Sequence, residues 1–218
     1  NTIMETGGYN KDRKLAEYQD TFYESAYILK QLQEYGISGA EIVRFPGGQT
    51  WDGIKGELWE VKPDRRQLAS YQDMTAMLAR GSNNADATAD LVWVGQGTPA
   101  ELDAVDINNK IVVTEGSVYS VHEEACLKRT AAGVVAISQS RPAFDPLQIP
   151  WRGIRGGEEG QPAKFAFLLP FREGEFLKQR LLEGRIITVN AVVETQMVPY
   201  DLQNVVAHIP GTDPDAGE

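Results

Sequence analysis

The sequence predicts an α+β protein, and three observations support this fold class. Short runs rich in valine and isoleucine recur along the chain, separated by Gly, Pro, Asn and Asp. Stretches whose apolar residues repeat at helical spacing lie between them. The 218 residues, 42% of them hydrophobic, can bury one or two cores. No internal repeat or heptad series is present, so a solenoid or coiled coil is not expected.

The first predicted element is an amphipathic helix over residues 10–35. Asn10 suits the N-cap and Gly36 suits the C′ position just after the helix. Apolar residues recur on one face at spacings of three, four and seven: Leu15, Tyr18, Phe22, Leu29 and Leu32. We expect this stripe to need a partner surface.

The remaining pattern predicts short strands, two further helices and one long loop. Ser120 and Glu123 have capping-box spacing, for a helix that Gly133 can end. Gly184 can end another helix over residues 173–183. Three prolines and the glycines between 153 and 160 predict an irregular surface loop over 139–161. The predicted strands are 41–45, 56–61, 91–94, 111–114, 133–137, 165–169, 185–195 and 204–209.

Charge and composition exclude several classes of function. The net charge of −10 would repel a phosphate backbone, so nucleic acid is not an expected partner. No apolar run approaches the roughly 20 residues that cross a bilayer, and no signal-peptide core is found in the sequence given. Cys126 is the single cysteine, so the chain has neither a disulfide framework nor a thiolate zinc cluster.

The two histidines are weak candidates for a metal site. His122, Glu123 and Cys126 nearly match H-E-x-x-H, in which two histidines bind zinc from one helical face. Here a cysteine replaces the second histidine, and a third ligand is lacking. We therefore interpret His122 as part of a solvated helix start. His208 alternates with Val206 along an apolar strand, which favours a packed, structural histidine.

A second candidate motif, for dinucleotide binding, lies at residues 95–100. Its sequence, GQGTPA, fits the dinucleotide-binding pattern G-x-G-x-x-A and follows a predicted strand. The helix after it spans at most residues 99–105, whereas a parallel crossover needs about a dozen residues. A wide turn is the favoured interpretation, and a dinucleotide-dependent enzyme is kept as a third alternative. No nucleophile elbow or Walker loop is present.

The long loop contains the candidate binding residues. Arg141, Arg152 and Arg155 cluster around Trp151, and guanidinium groups recognise carboxylates through paired hydrogen bonds. The alternative is a solvated loop anchored by an ordinary tryptophan. No residue of the chain is assigned as catalytic or as a metal ligand.

Three stretches in fixed order resemble a protease-associated (PA) domain. They are ADLVWVG at 89–95, VDINNKIVV at 105–113 and AAGVVAI at 131–137. The opening helix and NVVAHIPG at 204–211 are similar to the segments that flank this domain in metallopeptidase family 28, the aminopeptidase and glutamate-carboxypeptidase type. The resemblance implies three parts: residues 1–46 and 197–218 as an incomplete peptidase domain, with 47–196 as a PA-type, β-rich inserted domain with short helices.

The resemblance also implies a function. The chain would be the non-catalytic front portion of an exported zinc aminopeptidase-like hydrolase, extracellular or periplasmic, that shapes substrate access. The family's zinc ligands correspond to positions after Glu218, so zinc is expected only in a longer parent. The alternative function is a free-standing PA-type interaction module without peptidase activity.

Partners and pairing follow from the same resemblance. Peptide substrate, the missing catalytic domain and a second copy are the expected partners, the last through the helix face of Leu15, Phe22 and Leu29. That face should be partly exposed or covered by a second chain. Residues 41–45 should pair with residues 204–209 if both flanks belong to one sheet.

Overall fold

Seven strands and four helices form the described part of the chain, residues 22–209 and 211 of a computed structural model. The predicted α+β class is confirmed. The strands are β1 (Glu41–Lys62), β2 (Arg66–Ser70), β3 (Ala85–Trp93), β4 (Ile111–Thr114), β5 (Gly133–Ile137), β6 (Phe165–Leu169) and β7 (Thr188–Val206). The helices are α1 (Tyr23–Glu34), α2 (Pro99–Asp103), α3 (Val118–His122) and α4 (Phe171–Leu182).

The strands form one sheet in the order β2-β1-β7-β3-β4-β5-β6. The pairs from β3 to β6 are parallel, whereas β1 with β2 and β3 with β7 are antiparallel. Every residue of β4, β5 and β6 is buried. This burial on both faces accounts for the continuous apolar runs of these strands, which the sequence predicts with their observed bounds.

The contacts divide the chain into two compact units with a nested order. Residues 53–196 form the inner unit. The outer unit combines the segments before and after it, and its described residues are 22–52, 197–209 and 211. Strands β1 and β7 each pass from one unit into the other.

The outer unit contains α1 and the outer ends of β1 and β7. The N–H of Gly36, at φ 86°, donates to Gln33 O, and the next residue closes a Schellman motif on Leu32 O, so the predicted helix end is confirmed. The N–H of Phe22 donates to the Gln203 side-chain oxygen at 3.2 Å. Leu15 and the rest of the predicted helix before residue 22 lie outside the described residues.

The predicted pairing of the two flanks is supported by the sheet order. Strands β1 and β7 are neighbours, and a Cβ on Gly47 would lie 2.6 Å from the ring of Tyr200. The backbone of Gly47 therefore lies directly against that ring. Strand β7 ends at Val206, so residues 207–209 fall beyond it and His208 is exposed. The prediction of a packed His208 within a strand is therefore wrong.

The inner unit covers its parallel strands from both sides. One face packs Val112, Val134 and Ala166 against residues of α3 and the turn after it. On the other face, Leu177 of α4 is fully buried, and a Cβ on Gly174 would lie 2.4 Å from Ile137. The two sides together form a layered core that leaves the strand ends accessible.

The segment after β2 covers the outer edge of β6. Leu78 forms an antiparallel bridge with Phe167, and the N–H of Ala79 donates to Ala166 O at 2.9 Å. The side chain of Ser82 accepts from the N–H of Ala166 at 3.1 Å. This coverage satisfies backbone groups that an edge strand would otherwise expose.

Several predicted element bounds are corrected by the structure. Residues 41–45 and 56–61 belong to one strand, β1, although Pro46, Gly47 and Gly48 predict a turn between them. Pairing with β7 overrides that local signal. The sequence signal for β2 is weak, and this strand is absent from the prediction. The last helix ends as predicted, with Gly184 at φ 79°.

A buried ion pair joins the first strand of the inner unit to its last helix. Glu60 of β1 is 0% exposed, and Arg180 of α4 donates to both of its carboxylate oxygens, one at 2.7 Å. Arg66 lies at the edge of this pair, 3.9 Å from the carboxylate. The hydrogen bond from Arg180 to Glu60 raises the pKa of the guanidinium. Removing Arg180 would leave the buried carboxylate with only the more distant Arg66 beside it.

We therefore predict that Arg180→Met lowers the free energy of unfolding by about 3–5 kcal/mol. The double variant Glu60→Leu with Arg180→Met should recover much of this loss because no charge is then left buried. Arg185→Met is the matched control, since Arg185 is exposed and its pair with Glu183 is 4.0 Å long. Chemical denaturation measures all three. Equal effects of Arg180→Met and Arg185→Met would contradict the role of the pair.

Candidate functional site

The inner unit has a crevice of about 400 Å³ at the carboxyl ends of its parallel strands. Ligands of α/β sheets bind at this edge because side chains from successive strand ends meet there. The floor is apolar and includes Ala136 and Leu168, and the rim is rich in hydroxyl groups. The lining residues are Glu115, Gly116, Ser117, Val118, Ala136, Ile137, Ser138, Gln139, Ser140, Pro150, Arg152 and Leu168.

Arg152 is held at this rim by the backbone around it. Its carbonyl accepts from the N–H of Arg80 at 3.0 Å, and the N–H of Ile154 donates to Arg80 O at 2.8 Å. Ile154 is buried, which anchors the segment, while the Arg152 side chain is exposed. The loop thus presents a cation at a fixed point on an otherwise polar crevice.

Two serines after β5 line the crevice and donate hydrogen bonds to Gln148. The Ser138 hydroxyl donates to Gln148 O at 2.8 Å, and the Ser140 hydroxyl donates to the Gln148 side chain at 2.9 Å. The charge of Glu115 on this rim is balanced by Lys178, whose Nζ lies 2.6 Å away. The crevice therefore combines a neutralised carboxylate with the guanidinium of Arg152.

A second cavity, of about 660 Å³, lies beside α3. Its walls are α3, the π-helical turn Glu123–Leu127 that follows it, and the glycine-containing end of the long loop. Turns of this kind are frequent at functional sites. The lining residues are Tyr119, His122, Glu123, Leu127, Lys128, Arg155, Gly156, Gly157, Glu158 and Gln161.

His122 is a buried residue of this cavity and not a solvated helix start. The helix begins one turn earlier than predicted, because Ser117 is its N-cap and accepts from the N–H of Ser120. His122 is 1% exposed, and its Nε2 accepts from the N–H of Lys164 at 3.0 Å. Burial lowers the pKa of His122 to about 4. The ring is therefore neutral at pH 7, with its proton on Nδ1.

The buried neutral histidine predicts a specific pH dependence of stability. The unfolded chain binds a proton at His122 below about pH 6.5, whereas the folded chain binds it only near pH 4, so stability decreases as pH falls through this window. The loss attributable to His122 should approach about 3 kcal/mol. His122→Gln removes the titrating group. The difference in free energy of unfolding between the protein and this variant should shrink from pH 7 to pH 4, and a constant difference would contradict it.

The glycine turn at residues 95–98 accommodates a carboxylate of the chain itself. Glu101 accepts from the N–H of Gln96 at 3.2 Å and from the N–H of Thr98 at 2.9 Å. These hydrogen bonds lower the pKa of Glu101, the largest contribution coming from the Thr98 side chain. A carboxylate thus binds the backbone donors that would hold a phosphate in a dinucleotide fold. The predicted wide turn is confirmed, followed by the five-residue helix α2.

The four candidate residues of the long loop are not brought into one site. Arg152 lines the crevice and Arg155 lines the second cavity, where it lies 5.0 Å from the ring of Tyr119. Trp151 is 54% exposed, with the guanidinium of Arg80 5.7 Å from its ring. Arg141 is exposed, and its carbonyl accepts from two N–H groups of a turn. It lines neither cavity. The predicted irregular loop is confirmed apart from one short 3₁₀ turn, Glu158–Gly160.

Sequence reasoning missed most of the residues that line these cavities. Ser117, Ser138 and Ser140 directly follow two buried strands, and this position alone indicates a shared edge. For Tyr119 and Gln161 no such signal exists, since their proximity depends on how the long loop folds back.

No group of three or more His, Cys, Asp or Glu residues is placed to hold a metal ion within residues 22–209 and 211. Cys126 is buried, and its burial raises the pKa of the thiol to about 12, so it stays protonated. The Nε2 of His122 is already engaged. The H-E-x-x-C sequence therefore does not fit zinc. No described helix is long and apolar enough to cross a membrane.

Comparison with solved structures shows a shared fold. The chain is similar to a peptidase M28 precursor from Shewanella amazonensis, with a TM-score of 0.57 and 16% identity over 84% of this chain and 44% of that chain. It is also similar to BSAP, a zinc aminopeptidase from Bacillus subtilis, with a TM-score of 0.56 and 15% identity over 84% of this chain and 40% of that chain. The chain thus spans less than half the length of either protein. No protein-family model and no curated protein matches the sequence.

Proposed function

We propose that the chain is the non-catalytic front portion of an exported, M28-type zinc aminopeptidase, whose inner unit is a PA-type domain that shapes access of peptides to the active site. The observation that carries the proposal is the nested order of the two units, together with the fold shared with a peptidase M28 precursor and a zinc aminopeptidase. An inserted domain within an interrupted outer unit is what the sequence resemblance implies for this family.

Several large apolar side chains of the outer unit are exposed, which is consistent with an interface to another part of the parent protein. Large apolar side chains that remain exposed are candidates for an interaction surface. We assign this surface to the remainder of the peptidase domain. The exposed residues are Tyr27, Ile28, Tyr35, Phe45, Met197, Leu202, Val206 and Ile209.

Zinc and its ligands are assigned to sequence outside this chain. The described residues do not fit the ion, so no catalytic step is derived from them. Within the parent, hydrolysis would follow metal-assisted attack of water on an amide. The extracellular or periplasmic location is part of the same proposal.

The inner unit can be tested for a role in substrate access by deleting it from the parent enzyme. Strands β1 and β7 are neighbours, so a short turn can join residue 52 to residue 197. We predict that kcat for a small aminoacyl chromogenic substrate changes only a few-fold, while KM for longer peptides changes about tenfold, since only longer substrates reach the deleted unit. Unchanged KM for every peptide length would contradict the proposal.

Arg152 is the residue of the loop that we expect to contact substrate, because it lines the crevice at the strand ends. In the parent, Arg152→Ala should raise KM for peptides about tenfold with little change in kcat. The same assay applies to Arg141, Trp151 and Arg155, for which the expected effect is smaller because none of them lines the crevice. Arg185→Ala, an exposed arginine outside the loop, is the control. Equal KM values for all variants would remove the loop from substrate binding.

The chain by itself is expected to self-associate through the outer unit. Phe22, Leu29 and Leu32 of the predicted helix face are half-buried in the structure, so part of the face is exposed. Leu29→Glu should shift the association to higher protein concentration in light scattering because it introduces a charge into this face. A monomer at high concentration would contradict this expectation.

A further inference from the structure

The cavity beside α3 contains a cation and an anion that do not pair with each other. Of its four charged lining residues, Lys128 is bound by Glu123 at 3.0 Å and by the neighbouring Glu124 at 2.6 Å. The guanidinium of Arg155 instead lies over the ring of Tyr119, and it forms no ion pair with any described side chain. Glu158 likewise has no ion-pair partner among the described residues. Two exposed, opposite charges thus line one cavity without an ion-pair partner among the described residues.

The arrangement leaves the guanidinium able to bind a ligand. A cation–π contact does not consume the N–H groups of a guanidinium, so they can still donate to a carboxylate. The Arg155 guanidinium carbon lies 5.0 Å from the centre of the Tyr119 ring. The charge is therefore positioned without being neutralised.

The loop that carries Glu158 is held in place by a tight turn. The N–H of Gly157 donates to Gln161 O at 2.9 Å, and Gln161 in turn donates from its side chain to Leu127 O at 3.1 Å. A Cβ on Gly156 would lie 2.3 Å from Gln161 O, so glycine is needed there. The backbone of Glu158 therefore lies in a turn that is hydrogen-bonded to the end of the π-helical turn.

The remaining lining supplies apolar contact and one neutral hydrogen-bond donor. Leu127 and the ring of Tyr119 form apolar parts of the wall. Because the Nε2 of His122 accepts from Lys164, its Nδ1–H is the polar group of the ring left for a ligand. A volume of about 660 Å³ is within the range of small-molecule sites.

From this geometry we infer that the cavity beside α3 binds a small zwitterion of the amino-acid class, with its carboxylate on Arg155 and its ammonium group on Glu158. A ligand carrying one charge only would form an ion pair with one of the two residues. A zwitterion matches both charges, and a dipeptide with an apolar side chain also uses the apolar wall. The inference concerns this chain alone and stands apart from the proposed peptidase function.

The test is calorimetric titration of the chain with the dipeptide Gly-Leu, its N-acetyl derivative and its C-terminal amide. We expect saturable binding of the free dipeptide, with a Kd of roughly 1 mM or tighter. Each blocked derivative should bind about tenfold more weakly, because it lacks one of the two charges. Arg155→Ala and Glu158→Gln should each cause a similar loss. Arg152→Ala, in the same loop but lining the other crevice, should bind like the unmodified chain.

Each other outcome would overturn the assignment. Full binding of the N-acetyl derivative would show a simple carboxylate site, and full binding of the amide would show a cation site. Absence of saturation at about 10 mM dipeptide would show no site at all. Resonance shifts of the Gly157 and Gln161 amides on titration give a second readout that does not depend on any variant, and shifts confined to other residues would count against the inference.

Discussion

The inner unit depends on burying both faces of its four parallel strands. The buried ion pair between Glu60 and Arg180 links α4, which packs on one of these faces, to strand β1. The pair joins residues 120 positions apart, from β1 and α4. Its geometry satisfies both carboxylate oxygens, which a buried carboxylate requires if it is not to cost several kcal/mol. The strand with which the unit begins and its last helix are therefore held together in its interior.

With both faces of the strands buried, the two described cavities lie at the strand ends and beside α3. The long connection between β5 and β6 runs along both of these surfaces. One part of it places Arg152 over the carboxyl ends of the strands, and the next part places Arg155 and Glu158 beside the π-helical turn. A single irregular segment thus supplies charge to two separate cavities. Backbone hydrogen bonds to Arg80 and within the Gly157–Gln161 turn hold its two parts in position.

Local sequence patterns predict the strands that are buried on both faces and the helix ends that depend on the conformation of a single residue. Strands β4, β5 and β6 are continuous apolar runs, and Gly36 and Gly184 end helices by the conformation that only glycine adopts readily. The length of β1 could not be predicted because its turn-forming residues are overridden by pairing with a strand more than a hundred residues later. The burial of His122 depends on Lys164, 42 positions away, and is equally invisible in a local pattern. The separation of Arg152 from Arg155 results from the course of the loop rather than from its composition.

We propose that this chain belongs to a longer zinc peptidase and supplies none of its metal ligands. The most direct test is the intact mass of the natural gene product, combined with hydrolysis of an aminoacyl chromogenic substrate in the presence and absence of a chelator. We expect a mass well above the 24.1 kDa of this chain and an activity that chelation abolishes and zinc restores. A product of about 24 kDa with no activity would contradict it and would favour a free-standing interaction module.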